Sequence, residues 1–180
     1  MSLPKDQFIA LGLMSGTSMD GVDCALINSD GTSAKAMGYP VHMAYSPDLR
    51  HEISQAMEKA LSLEHPSEQN GAMDGLTRTL TLIHGQAVEE ILRKNNLKAS
   101  DIDIIGFHGQ TLAHRPDRGW SWQIGDGQQL ANITRIPVVN DFRRQDVEGG
   151  GQGAPLVPIY HQALMRNQPE SGYPVAIINI

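Results

Sequence analysis

A short polar turn between two apolar runs is the part of this sequence best suited to bind an anion. The first run, 8–13, stops at the segment SGTS (15–18), and a second run, 22–27, begins shortly after Asp20. Glycine and small hydroxyl residues let backbone amides and hydroxyls point at one phosphate group. The turn contains no Lys or Arg, so its charge partners would be amides, hydroxyls and a metal ion held by Asp20 or Asp23.

Phosphate binding is one of two interpretations of this turn. The other is an ordinary Gly/Ser connection in a β-hairpin, which the same residues form equally well. A Walker loop is excluded, because that motif requires G-x-x-x-x-G-K-[ST] followed by a helix. From the residues alone, the two remaining interpretations carry equal weight.

A second polar segment, GFHGQT (106–111), coincides with the end of an apolar run at 102–107. Loops at the carboxyl ends of strands are where α/β proteins bind ligands. His108, Gln110 and Thr111 combine donors and acceptors suited to sugar hydroxyls or an N-acetyl group. The alternative is a capped turn in which His108 serves only as a hydrogen-bond partner. The seven histidines of the chain form no zinc-binding pattern.

A third polar segment, NDFRRQDVEGGGQGAP (140–155), follows another apolar run. In a cleft, Arg143 or Arg144 could grip a carboxylate with two parallel hydrogen bonds. Asp141 or Asp146 would then orient the arginines or accept a substrate hydroxyl, and the glycines would allow close backbone approach to a ligand. The alternative is a surface cluster of ion pairs, which contributes little energy.

Hydrophobic periodicity predicts the elements that position these segments. Strands are predicted at 8–13, 22–27, 34–45, 102–107, 120–124, 137–140 and 174–180, and helices at 47–60, 72–95, 126–135 and 155–165. Gly38 and Pro40 predict an edge position for strand 34–45. This order indicates an α/β domain with a mixed sheet. All three polar segments follow strands, so we expect them to share a cleft.

Composition restricts the expected binding partners, cellular location and cysteine chemistry of this protein. The net charge of −6 argues against a nucleic acid or a membrane surface as the main partner, although local basic groups can still hold an anionic small molecule. The N-terminal MSLPKDQF lacks the features of a signal peptide, so the cytoplasm is the expected location. Cys24 is the only cysteine and is expected in the core, which leaves no disulfide framework and no Cys-based zinc site.

The strand predicted at 174–180 has no element after it against which to pack. We therefore expect this chain to be the N-terminal part of a longer protein. Its first domain is expected over 1–172, and 173–180 is expected to be the first strand of a second domain.

Five motifs, in their order along the chain, resemble those of the anhydro-N-acetylmuramic acid kinases: LMSGTSMDGVD, GFHGQTLAHRP, QIGDGQQLA, PVVNDFRRQDV and GGQGAPLVPIYHQAL. The resemblance runs through essentially the whole chain, and the combination of motifs is highly specific. It implies an actin-like ATPase fold (ribonuclease H-like, of the hexokinase/actin/Hsp70 superfamily). In this fold a mixed sheet is flanked by helices, and an ATP and sugar cleft lies between two α/β domains.

The resemblance also implies an activity. Water attacks the anomeric carbon of 1,6-anhydro-N-acetylmuramic acid and opens the intramolecular ring, and O6 takes the γ-phosphoryl group of ATP to give N-acetylmuramic acid 6-phosphate. The implied enzyme serves bacterial cell-wall recycling, is cytoplasmic, uses ATP with Mg²⁺ and is commonly a homodimer. Two alternatives are a kinase of the same fold acting on another sugar, and a non-catalytic sugar- or nucleotide-binding module.

The resemblance assigns two groups of residues by position. The ATP phosphates, with Mg²⁺ near Asp20 or Asp23, are expected at Gly16, Thr17, Ser18, Met19, Asp20, Gly21, Val22 and Asp23. The anhydro-sugar is expected at His108, Gly109, Gln110, Thr111, Asp141, Arg143, Arg144, Asp146, Gln152 and Gly153, with one arginine at the lactyl carboxylate.

This chain departs from the family pattern at two positions and lacks its catalytic residue. Asn140 stands where the family often has Gly, and Gln145 where a third Arg is usual. The general-base aspartate, in a segment resembling GFDTGPGN, is expected beyond Ile180. These 180 residues alone are therefore expected to have little or no kinase activity.

Overall fold

The computed structural model describes residues 6–69, 71–166 and 176–177, with backbone only at 68 and 69. Within these ranges the strands are β1 (Phe8–Ser15), β2 (Gly21–Ser29), β3 (Ala34–Ala44), β4 (Ile104–Arg115), β5 (Trp120–Ile124) and β6 (Val138–Asn140). The α-helices are α1 (Pro47–Leu61), α2 (Asp74–Lys94), α3 (Gly127–Thr134), α4 (Arg144–Glu148) and α5 (Pro158–Met165). Short 3-10 turns lie at Pro66–Gln69, Ala99–Asp101 and Pro116–Arg118.

These strands form one mixed sheet in the order β3-β2-β1-β4-β5, with β6 also paired to β4. The hairpin predicted from the SGTS segment is confirmed, since β1 and β2 pair antiparallel. Strand β3 lies at the edge, as its Gly and Pro predict. Strand β1 pairs parallel with β4, and β4 pairs parallel with β6 through its first half and antiparallel with β5 through its second half.

The core lies between the sheet and α2. Alternate residues of β1 and β2 are buried, namely Leu11, Leu13, Val22, Cys24 and Leu26, and they join the buried face of α2 in one hydrophobic cluster. Each fully buried Leu or Ile contributes about 2 kcal/mol by leaving water. Cys24 is a core residue as predicted, and burial raises the pKa of its thiol to about 12. This packing holds β1 rigidly up to its last residue.

Side-chain caps mark the starts of two helices. Ser46 precedes α1, and its hydroxyl accepts a hydrogen bond from Leu49 N at 3.2 Å. Asp126 caps α3 in the same way through Gln129 N at 2.8 Å. None of the helices in the described ranges is long and apolar enough to cross a membrane.

Three boundary predictions need correction. Strand β4 was expected to end at Phe107, but it continues to Arg115, because a bulge at Gly109 (φ +73°) carries the chain onto β5. Helix α5 begins at Pro158 rather than at 155, and α4 was not predicted. The strand predicted at 174–180 falls almost wholly outside the described residues.

Candidate functional site

The three polar segments meet at one edge of the sheet. Because β1, β4 and β6 are parallel, their carboxyl ends point to the same edge, where Ser15 aligns with Gln110 and Asn140 aligns with Phe107. The turn at 16–20 and the segment after Asn140 therefore lie on either side of β4. Adjacent strands are about 4.8 Å apart, so these two segments are separated by about 10 Å across the sheet, and Ser15 lies two residues further along β1 than the level of Asn140.

The turn at 16–20 presents unpaired donors at this edge. Met19 N donates to Gly16 O at 3.2 Å, which closes the turn. In the described part of the chain, neither Thr17 N nor Ser18 N donates to a protein acceptor. Ser18 Oγ donates to Asp20 Oδ1 at 2.6 Å, and this hydrogen bond lowers the pKa of Asp20. Free amides and hydroxyls in a tight turn are the donor set that binds a phosphate without Lys or Arg.

The later residues of the same motif have other roles. Gly21 pairs so closely with β3 that a Cβ would overlap Met43 O, and the side chain of Val22 is fully buried in the core. Asp23 is exposed on β2, where His42 Nδ1 lies 2.9 Å from its Oδ1. Within the described residues, the free donors of this motif are thus confined to the turn itself.

A magnesium ion fits this edge only together with a nucleotide. Within the ranges that the structure describes, no three His, Cys, Asp or Glu side chains cluster as a metal site. Asp20 is exposed, and Ser18 donates to one of its carboxylate oxygens. Mg²⁺ usually takes one or two protein carboxylates and completes its octahedron with phosphate oxygens and water. Asp20 is the residue of the turn that would hold the ion alongside a nucleotide.

Gln110 connects the turn to β4. Its side chain is fully buried, and Nε2 donates to Gly16 O at 2.7 Å and to Thr111 O at 3.1 Å. Gln110 and Thr111 lie inside β4 rather than in a loop, and Thr111 pairs with Gln123 of β5. Gln110 therefore fixes the position of the turn.

His108 and Arg143 form a hydrogen bond that joins β4 to the third polar segment. The Nδ1 of His108 lies 2.8 Å from Gly109 O, and a carbonyl oxygen can only accept, so Nδ1 carries the proton. Nε2 is then an acceptor, and Arg143 Nε donates to it at 3.0 Å. Burial, together with the neighbouring positive charge of Arg143, lowers the pKa of His108 and keeps it neutral.

The two adjacent arginines point to different partners. Arg143 also donates through Nη1 to Gly153 O at 2.5 Å, so its guanidinium is engaged on two sides by protein acceptors. Arg144 donates through Nε to Asp141 Oδ2 at 2.6 Å, and its side chain is largely exposed. Arg144, and not Arg143, lines the cavity described next.

Asp146 and Gly153 close the glycine-rich part of the segment. Gly153 N donates to Asp146 Oδ2 at 2.6 Å, and Gly153 adopts φ +63° with the Val147 side chain packed where a Cβ would lie. These two residues and Arg143 stabilise the loop, while the neighbouring Gln152 is exposed.

A cavity of about 360 Å³ opens beside these residues, between β4, β5 and the start of α4. Of the predicted sugar-site residues, His108, Gly109, Asp141 and Arg144 line it. Sequence reasoning missed other lining residues, notably Trp120, Trp122, Gln123, Asn140 and Glu148. The two tryptophans that alternate with polar residues in β5 could have indicated these lining residues, because aromatic faces and amides are common in sugar sites.

Comparison with known protein families identifies the family of this chain. The family model described as anhydro-N-acetylmuramic acid kinase matches residues 8–180. The chain belongs to the anhydro-N-acetylmuramic acid kinase family. That family is part of the actin-like superfamily, in agreement with the mixed open sheet flanked by helices.

Curated proteins named anhydro-N-acetylmuramic acid kinase are similar along almost the whole chain. The protein from Bradyrhizobium diazoefficiens is 47% identical over 171 residues, which are 95% of this chain and 46% of the relative. The protein from Zymomonas mobilis is 46% identical over 175 residues, which are 96% of this chain and 47% of the relative. The chain thus spans about half the length of these relatives.

In this member of the anhydro-N-acetylmuramic acid kinase family, non-glycine residues adopt unusual backbone conformations in the first and third polar segments. Met19 (φ +56°) and Asp141 (φ +62°) are non-glycine residues in the left-handed region, one on each side of β4. The two other such residues, Asn96 and Arg135, follow the ends of α2 and α3, where this conformation is common. Left-handed residues away from helix ends are concentrated at ligand sites.

Proposed function

We propose that this chain supplies the phosphate turn and the sugar cavity of an ATP-dependent kinase that acts on 1,6-anhydro-N-acetylmuramic acid. Water opens the anhydro ring at the anomeric carbon, and O6 accepts the γ-phosphoryl group of ATP to give the 6-phosphate. The observation that carries the proposal is that a turn with free donors and a cavity with an exposed arginine lie beside the neighbouring strands β1 and β4.

The turn at 16–20 binds the nucleotide phosphates in this proposal. The free amides of Thr17 and Ser18 and their hydroxyls supply neutral donors, and Asp20 holds the Mg²⁺ that travels with ATP. Phosphoryl transfer depends mainly on positioning and on electrostatic stabilisation of the transferring group. A rigid turn at the end of a buried strand meets the positioning requirement.

The cavity beside β5 binds the sugar. A volume of about 360 Å³ is at the lower end of small-molecule sites and suits a monosaccharide. Arg144 is positioned to bind the lactyl carboxylate, because its guanidinium has only Asp141 as a charged partner and faces the cavity. Asn140, Gln123 and the Asp141 carboxylate supply acceptors and donors for hydroxyls and the N-acetyl group.

Three further parts of the proposal are supported by the family resemblance alone. The general-base aspartate is expected in the half of the relatives that this chain does not span. The whole protein is expected to be a cytoplasmic homodimer, with its first domain ending near residue 172. Light scattering of the full-length protein would measure the oligomeric state.

The test is a kinase assay on the full-length protein in H₂¹⁸O. ADP release with anhydro-N-acetylmuramic acid is expected, together with one ¹⁸O at C1 and a phosphate on O6, measured by mass spectrometry and ³¹P NMR. ADP release only with other sugars would favour a kinase of different specificity. Sugar or nucleotide binding without ADP release would favour a binding module.

A further inference from the structure

His84 is a buried titratable residue that the proposed reaction does not use. It lies in the middle of α2, its side chain is fully buried, and its ring packs edge-on against Phe107 with centroids 4.9 Å apart. A fully buried histidine among apolar residues is costly unless both ring nitrogens are paired. The partners of these two nitrogens therefore indicate what His84 does.

The hydrogen bonds of His84 determine its tautomer. Nδ1 lies 2.8 Å from Leu80 O, one turn earlier in α2, and a carbonyl oxygen requires a donor. Nδ1 therefore carries the proton, and burial lowers the pKa of His84 to about 4, so the ring remains neutral. Nε2 is consequently a buried acceptor that needs a donor from another element.

The donor is the last residue of β1. Ser15 Oγ lies 3.2 Å from His84 Nε2 and 3.1 Å from Gly109 O. The Ser15 hydroxyl has one proton and two acceptors within reach. Gly109 O already accepts from His108 Nδ1, whereas the only donor to His84 Nε2 in the described chain is Ser15, so the Ser15 proton is assigned to His84. The Tyr45 phenol also lies beside Ser15, and both side chains are buried.

Ser15 is followed directly by the phosphate-binding turn. Its hydroxyl is held by α2 through His84, and the next carbonyl, Gly16 O, is held by Gln110 of β4. The turn thus begins from two consecutive residues that are anchored on two different elements. Within the described residues, Thr17 and Ser18 make no hydrogen bond to the core themselves, and the far end of the turn is held by Tyr45 N, which donates to Asp20 O at 3.0 Å.

We infer that His84, acting through Ser15, is a positioning residue for the phosphate-binding turn. This inference rests on the proposed function, in which that turn binds ATP. Loss of the anchor misaligns the free amides with the nucleotide phosphates and affects the sugar cavity less, because neither Ser15 nor His84 lines it. The expected signature is a selective loss in the use of ATP.

The test compares variants of Ser15 and His84 in the full-length protein by steady-state kinetics. We expect Ser15→Ala and His84→Leu each to lower kcat/KM for ATP by about tenfold, the loss of one well-made buried hydrogen bond. The KM for the sugar is expected to change less than kcat/KM for ATP, because Ser15 and His84 contact Gly109 and Phe107 of the cavity wall without lining the cavity themselves. His84→Gln is expected to restore most of the ATP value, because its side-chain oxygen can accept the Ser15 proton.

Thr81→Val is the matched control for loss of a buried polar group. Thr81 lies one turn earlier on α2 and is fully buried, but its hydroxyl accepts from Asp126 N at 3.0 Å, at the start of α3. This control is expected to lower the melting temperature without changing the KM for ATP. An equal ATP defect in Thr81→Val, or no ATP defect in a folded Ser15→Ala, would overturn the inference.

Gly16→Val, whose branched side chain keeps a phosphate away from the amides of the turn, separates this inference from the proposed function. If it leaves ATP kinetics unchanged, the turn is not the phosphate site, and both proposals are wrong. If it weakens the use of ATP while Ser15→Ala and His84→Leu do not, only the positioning role of His84 is wrong. The double variant Ser15→Ala/His84→Leu is expected to lose no more than either single variant, because both remove the same bond.

Discussion

Arg143 and His108, 35 residues apart in the chain, form a direct hydrogen bond in which Arg143 Nε donates to His108 Nε2 at 3.0 Å. The bond requires a neutral His108 with its proton on Nδ1, the tautomer that Gly109 O selects. It fixes the third polar segment against β4 and leaves Arg144 as the arginine that faces the cavity. Several predictions depend on this arrangement.

Replacing His108 with Leu is expected to release Arg143 and disorder the wall of the sugar cavity. We expect kcat/KM for anhydro-N-acetylmuramic acid to fall at least tenfold, while the KM for ATP changes less, because the turn is anchored separately. Steady-state kinetics with each substrate varied in turn measures both. His51→Gln, exposed on α1 and outside the cavity, is the control and should behave as wild type.

Arg144→Ala is expected to raise the KM for the sugar by about thirtyfold, the value of a charge-assisted hydrogen bond to a carboxylate. With anhydro-N-acetylglucosamine, which lacks the lactyl group, the variant and the wild type are expected to perform alike. Equal losses with both sugars would remove Arg144 from carboxylate recognition. Arg143→Ala should instead lower the melting temperature, because it removes the bonds to His108 and Gly153.

Asp141→Asn is expected to impair the use of sugar more than the binding of ATP. Asn tolerates the left-handed backbone that Asp141 adopts at φ +62°, so the loop should keep its conformation. The exposed Asp141–Arg144 ion pair contributes less than about 1 kcal/mol to stability, so the melting temperature should change little. Unchanged sugar kinetics would exclude Asp141 from the site.

Gly16→Val tests how closely the turn approaches a phosphate. A Cβ at Gly16 would meet only Met14 Cε at 3.4 Å, so the free protein accommodates the change. A branched side chain there would keep the nucleotide phosphates away from the amides. We expect ATP affinity, measured by calorimetry, to fall at least tenfold. Gly12→Ala, on the exposed side of the same strand with no atom within 4 Å, should leave it unchanged.

Acid is expected to destabilise the protein through His84. Its pKa is about 4 in the folded state against 6.5 when exposed, so the unfolded chain takes up a proton first as the pH falls below 6.5. The contribution of His84 to the free energy of unfolding is therefore fully present above pH 6.5, and about 3 kcal/mol of it is lost by pH 4. Denaturation of the wild type and of His84→Gln between these pH values should show a shallower pH dependence for the variant.

The strands, the long helices and the turn at 16–20 could be predicted from sequence, because each depends on local features. Alternating apolar residues define β1 and β2, Ser46 and Pro47 mark the start of α1, and a turn of Gly, Ser and Thr exposes its own amides. The family resemblance was also carried by continuous motifs. The turn after Ser15 and the segment after Asn140 follow strand ends as predicted, whereas GFHGQT (106–111) lies within β4.

The tertiary structure decided which residues of those motifs meet a ligand and which hold the site together. His108 to Thr111 resembled a loop, yet they lie in β4, because pairing with β5 supplies neighbours that no local pattern contains. Nothing in the chain near Arg143 distinguishes it from Arg144. Arg143 is distinguished by its hydrogen bond to His108, 35 positions away. The bonds that hold the turn, Ser15–His84 and Gly16–Gln110, join residues 69 and 94 positions apart. Such contacts depend on strand order and register, and these are set by packing of the whole sheet against α2 rather than by any segment alone.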